Sequence, residues 1–156
     1  MKFSPKLLKR VLNLYPPYLG AGVKITYISE DWRELQVSMS LRWYNRNVVG
    51  THFGGSLYSM VDPHLMLLLM QLLGEEYLVW DKAASIDFVR PSKGKVTSVI
   101  KILDKDLELI KSNTSNGEKY LPKFTVEIRD ENDGLVARVK KTLYIRRKKG
   151  KTFSRH

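Results

Sequence analysis

One carboxylate, Asp62, stands in an otherwise apolar stretch, SLYSMVDPHLMLLLMQLLG, and two glycines, Gly54 and Gly55, come immediately before it. Glycines ahead of a helix let the backbone approach a ligand, because no Cβ blocks the way. The first N–H groups of the helix lack intrahelical partners. Together they would stabilise an oxyanion developing on a carbonyl, with Gly55 as main donor and Ser56 beside it. A carboxylate in apolar surroundings is costly unless it is paired or opens on a cleft. Desolvation raises its pKa and suits it to act as a base toward water, or to attack a carbonyl itself. Asn47 would orient water or substrate, or shape its loop. Each residue also has a structural reading. The glycines would serve tight packing, Asp62 would cap a helix restarting at Pro63, and His52 and His64 would pack. His52, Asp62 and His64 are spaced ten and two apart, which matches no metal motif, so no metal is expected.

Positioning these groups falls to the elements around them. Leu7, Leu8, Val11, Leu12 and Tyr15 recur at helical spacing, with Ser4 as N-cap and Pro5 at the first helical position. Pro16-Pro17 is expected to end that helix. GVKITYISED reads as a strand. Leu35, Val37, Met39, Leu41 and Trp43 alternate with polar residues, which predicts a strand with one dry face. A loop rich in glycine and asparagine follows. Residues 56–74 are apolar nearly all round and rich in Leu and Met, which predicts a buried helix kinked at Pro63 and closed by Gly74. The stripe Leu65–Met70 is core first and lining for a flexible ligand second. The rest reads as strands: 77–91 with Ala84, Ile86 and Phe88 on one face, then 95–103, 123–131 and 135–147, with a short helix or an excursion at 104–115 and a hairpin turn at 130–134. Trp43, Tyr44 and Trp80 are expected in the core, and Asp81-Lys82 within a strand is expected to be an internal ion pair, its partner left open. Strands joined by short turns make an antiparallel sheet, and its dry face needs the central helix as cover. The expected class is α+β: a curved antiparallel sheet around one apolar helix, with an extra N-terminal helix.

The chain has 156 residues and a formal net charge of +11, and lacks cysteine. The length fits one domain, here 1–147 with a helical extension at 1–19. Without cysteine there are no disulfides, thiolate metal sites or thiol nucleophiles, and a reducing compartment fits. Residues 146–156 hold six Lys/Arg and no acid, leaving +5 for the remainder. The tail at 148–156 reads as a solvated terminus, or as a patch for phosphates of a nucleic acid, an anionic membrane or a nucleotide. The start lacks the continuous apolar region of a secretory signal, and no clean membrane span is expected, so the expected location is cytoplasmic.

The string NVVGTHFGGSLYSMVD resembles the hotdog-fold thioesterase superfamily, whose acyl-CoA thioesterases read N-x-x-G-x-x-H-G-G into the central helix with an acid seven positions later. Asn47, Gly50, Gly54, Gly55 and Asp62 fall in that frame. IDFVRPSKGKV and VEIRDENDGLVARVKKTLYI resemble the family's strand–turn–strand and closing hairpin. The likeness spans about residues 20–147, and the N-terminal helix matches an uncharacterised, DUF4442-type branch. Phe53 occupies the family's histidine position and His52 sits one residue early. The resemblance implies a hotdog fold and hydrolysis of acyl-CoA or acyl-carrier thioesters. Asp62, Gly55 and Asn47 would be catalytic. His52, Phe53, Gly54, Ser56, Arg90 and Lys93 would contact substrate, the last two at the phosphates of coenzyme A. It implies no cofactor beyond coenzyme A as part of the substrate. It also implies a homo-oligomer, a dimer or dimer of dimers, because the acid commonly faces the neighbouring subunit's glycine turn. No nucleic-acid partner is expected. Two alternatives stay open: a non-catalytic acyl- or lipid-binding protein, and a hydroxyacyl-thioester dehydratase.

Overall fold

A computed structural model describes residues 3–150. Helix α1 (Pro5–Asn13) opens as expected: the Ser4 hydroxyl accepts from Leu7 N–H at 3.2 Å, with proline next in line. Pro16-Pro17 does not simply end this helix. It starts a second, α2 (Pro16–Ala21), because proline's missing N–H costs nothing in a first turn. Gly22 closes α2 at φ 82°.

Strands β1 (Val23–Ile28) and β2 (Glu34–Met39) pair antiparallel. The alternation predicted through Trp43 stops pairing at Met39, and the chain turns away toward helix α3 (Gly54–Ser59). The single kinked helix expected over 56–74 is two: α3, then α4 (His64–Leu73), separated by turns around a cis Asp62–Pro63 peptide. Residues 54–73 are long and apolar enough to cross a membrane by length and composition, and half of that window is buried inside the fold. The apolar girdle of α4 is not wholly covered. Leu65, Leu68, Leu69 and Leu73 are buried, whereas Met70 is 46% exposed, because the sheet packs on one side of the helix.

The remaining elements are β3 (Tyr77–Phe88), β4 (Val96–Lys101), helix α5 (Asp104–Asn113), β5 (Lys119–Tyr120), β6 (Lys123–Asp130) and β7 (Leu135–Arg147). All pairings are antiparallel, in the order β1-β2-β4-β6-β7-β3, with β5 on the end of β7. The α+β architecture is the expected one, with the central helix against a seven-stranded sheet. Residues 151–156 of the basic tail lie outside the described residues.

Candidate active site

Strand β7 supplies an unexpected group. Its core-facing row runs Val139, Lys141, Leu143, Ile145, so a lysine occupies a position that alternation reserves for an apolar side chain. The Lys141 side chain is 0% exposed. Burying an ammonium is costly unless it is paired. Here Nζ donates to Asp62 Oδ1 at 2.9 Å, lies 2.8 Å from Asp81 Oδ1, and reaches the Tyr58 hydroxyl at 3.4 Å.

The elements explain the convergence. Asp62 sits at the break between α3 and α4, where the main chain leaves the helical track. Asp81 precedes a bulge at Lys82 and stands opposite Leu143, on the same face of the sheet as Lys141. Of the Asp81-Lys82 pair singled out in the sequence, Asp81 is in an internal ion pair, with Lys141, and Lys82 is exposed. Burial raises the Asp81 pKa and the neighbouring Asp62 charge adds to that, with Lys141 opposing. Burial works against the Lys141 charge, but the two carboxylates outweigh it and hold its pKa above the ordinary value. The carboxylates keep access to solvent, with side chains 43% (Asp62) and 24% (Asp81) exposed. Beside them an open hollow of about 460 Å³ is lined by Tyr58 and β3 residues 81–86.

The glycine turn forms a second group. His52 N–H donates to Ser92 O at 3.0 Å, and its Nε2–H donates to Gly94 O at 2.6 Å. His52 is buried, and its Nδ1 has no hydrogen-bond partner. The turn at 91–94 is thereby tied to Gly54 and Gly55. A Cβ on Gly54 would come within 2.9 Å of the Phe88 ring, and one on Gly55 within 2.6 Å of the Phe53 ring, so both glycines are needed for packing. Phe53 caps α3 without a side-chain hydrogen bond, leaving the opening N–H groups uncapped by any side chain. Ser56 is buried in that first turn.

Asn47 spends its amide on its own loop: Oδ1 accepts from Val49 and Thr51 N–H, and Nδ2 donates to Thr51 Oγ1 at 2.8 Å. Arg90 is paired with Asp130, and Lys93 is exposed on the 91–94 turn. His64 is fully buried. Its Nδ1–H donates to Met60 O at 2.8 Å, and its Nε2 accepts from the Tyr18 hydroxyl at 2.6 Å. Desolvation lowers its pKa to about 4, so the ring is neutral. Among the described residues no cluster of three His, Asp or Glu is arranged to hold a metal.

The structure thus gathers His52, Phe53, Gly54, Gly55, Ser56 and Lys93 at the Phe88 end of β3, and Asp62 with Asp81 at the other. Gly55 and Asp62 lie seven residues apart, about two turns of largely helical chain or roughly 10 Å. Sequence reasoning missed Lys141, whose signal was a cation in the apolar row of an alternating strand.

A domain family described as Domain of unknown function (DUF4442) matches residues 5–145. No curated protein matches the chain. Among solved structures, Pseudomonas aeruginosa PA5026, named Probable Thioesterase, aligns at TM-score 0.80 and 14% identity, covering 95% of this chain and 99% of its own. Haemophilus influenzae thioesterase HI1161 aligns at TM-score 0.68 and 16% identity, covering 97% and 96%. A Chlorobaculum tepidum protein of unknown function, OLEI01261, aligns at TM-score 0.73 and 15% identity, covering 93% and 98%. At these identities the likeness is one of fold, the hotdog fold.

Proposed function

The chain belongs to the DUF4442 family, and from that premise we propose that it hydrolyses acyl thioesters, of coenzyme A or of an acyl carrier. The observation that carries the reading is the pair of carboxylates, Asp62 and Asp81, held by one buried ammonium beside an open hollow. Two of the solved structures of the same fold bear the name thioesterase. Asp62, the more exposed carboxylate, takes a proton from water. The resulting hydroxide adds to the thioester carbonyl, the C–S bond breaks, and the thiol leaves with the proton. The N–H groups opening α3, Gly55 foremost, stabilise the oxyanion. Lys93, and Arg90 where it is released from Asp130, meet the phosphates of coenzyme A. The groove of about 310 Å³ at Met70, Leu78 and Trp80 offers apolar lining for the acyl chain. A cytoplasmic setting goes with the cysteine-free chain.

The site is completed by a second copy. Strand β3 is a free edge with Ala83, Ala84 and Ser85 exposed at its middle. Antiparallel pairing with a copy about a two-fold near Ala84 and Ser85 sets Asp81 opposite the partner's Phe88. One protomer's acid then meets the other's glycine turn.

Turnover of a panel of acyl-CoA and acyl-carrier thioesters tests this. Wild type is expected to hydrolyse at least one ester, and Asp62→Asn to lose about 10²- to 10⁴-fold of that rate. Equal rates would remove Asp62 from the mechanism, and no turnover of any ester would end the enzyme reading. The ion pair of Asp62 Oδ1 with Lys141 favours a second reading, a non-catalytic acyl-binding protein. Native mass spectrometry showing a retained acyl chain without turnover would select it.

A further inference from the structure

Helix α1 has two apolar stripes. Leu8 and Leu12 face inward, where the helix packs on β1. Leu7, Val11 and Leu14 are exposed at i, i+4 and i+7, and Tyr15 and Leu19 continue the exposed series onto α2. In a folded chain an apolar stripe turned to water marks an interaction surface.

The stripe continues onto the loop after β2. Asn45, buried in that loop, donates from its amide to Ala21 O at 3.2 Å, joining the loop to the end of α2. Leu19, Lys24, Arg42 and Tyr44 line one groove of about 240 Å³ between them. Trp43 stands edge-on to Tyr44 with centroids 5.5 Å apart and is 81% exposed, and Val48 and Val49 are exposed on the same loop. The core position expected for Trp43 is therefore replaced by an outward one.

The segments that build this face carry charge of a single sign. Residues 1–29 contain five Lys/Arg and no acid, and residues 35–61 contain two and no acid. All sixteen acids of the chain lie elsewhere. Leucine, valine, tryptophan and tyrosine ringed by cations match the boundary of an anionic bilayer: apolar side chains enter the acyl region, aromatic rings sit at the headgroups, and cations meet phosphate. A nucleic acid would meet the cations but leave the leucine stripe in water.

We propose that α1, α2 and the Arg42–Val49 loop form a docking surface for an anionic lipid bilayer, on which the protein lies peripherally. None of the residues varied below belongs to the carboxylate cluster, so the test needs no turnover.

The full chain is mixed with phosphatidylcholine vesicles, with and without phosphatidylglycerol, and pelleted at low and high salt. Co-pelleting with the anionic vesicles alone, weakened by salt, is expected, together with a blue shift of tryptophan emission that Trp43→Phe abolishes. Leu14→Ser with Trp43→Ser, both at exposed positions, is expected to abolish pelleting. Lys6→Gln and Arg10→Gln are each expected to weaken it about fivefold. Failure of wild type to bind the anionic vesicles overturns the proposal. So does pelleting that is equal for both vesicle types and indifferent to these variants. Binding of wild type to RNA but not to vesicles overturns it in favour of a nucleic acid. Dissociation of an oligomer by Leu14→Ser and Trp43→Ser, with vesicle binding absent, overturns it in favour of a second copy.

Discussion

Lys141 holds its charge where a leucine or valine would normally pack, and its two carboxylates are what make that tolerable. Its folded pKa lies above the ordinary lysine value, so from neutral pH up to about 10.4 the ion pair contributes fully to the fold, and that contribution disappears as pH climbs through the higher folded value. Lys141→Met is expected to cost about 3 kcal/mol in urea unfolding at neutral pH, the low end for a broken buried pair because both acids keep solvent access. Adding Asp62→Asn and Asp81→Asn is expected to recover most of the loss. A single Lys141→Met as stable as wild type would sink this account. His64 works in the other direction. Its folded pKa of about 4 lies below the unfolded value near 6.5, so the unfolded chain takes up the proton first. Stability is expected to be full above pH 6.5 and to fall by about 3 kcal/mol as pH drops toward 4. His64→Phe is expected to flatten that slope, whatever its effect at neutral pH.

Among the elements, the junction between α2 and the β2–α3 loop leaves no room for a side chain at Gly22. Gly22 has φ 82°, and a Cβ there would lie 2.2 Å from the amide nitrogen of the buried Asn45. That Asn45 side chain bonds to Ala21 O, Ser40 O and Arg42 N–H, so it has little freedom to retreat. Gly22→Ala is expected to destabilise by about 3 kcal/mol, combining left-handed strain with lost hydrogen bonds. Gly20→Ala, two residues earlier in open space, is the control and is expected to be close to neutral. Thermal unfolding of the two side by side reads the difference. The first helix and the strands were legible in the sequence because capping and alternation are local properties. The second helix at Pro16-Pro17 and the break at 60–63 were not. Proline fits both the end of one helix and the start of the next, and the geometry around it decides which.

At the scale of the whole molecule, β3 remains the anomaly. It is twelve residues long, bonded on one edge only among the described residues, and carries Leu78, Trp80 and Phe88 in partial exposure. A long unpaired edge with apolar side chains is a template for another strand. If a second copy pairs there, Ala84→Arg is expected to give a folded monomer in analytical ultracentrifugation and to lose thioester turnover. A dimer that survives this substitution would show that the copies meet elsewhere. The same logic explains Trp80, expected in the core. It stacks on Tyr144 at 4.1 Å but stays 44% exposed, because no further described residue covers that end of the strand.

Read alone, the chain determined its α+β class, the antiparallel sheet, the apolar helix beneath it, and the glycine turn and Asp62 as the places to look for chemistry. Those follow from periodicity and residue type, which act over a few neighbours. Only the tertiary structure decided that Lys141, 79 residues from Asp62 along the chain, neutralises it together with Asp81. It also decided that Trp43 faces water and that His64 is sealed against Tyr18. Pairings of that kind depend on how strands register and helices dock, and a one-dimensional pattern carries a side chain's face but not the identity of what meets it.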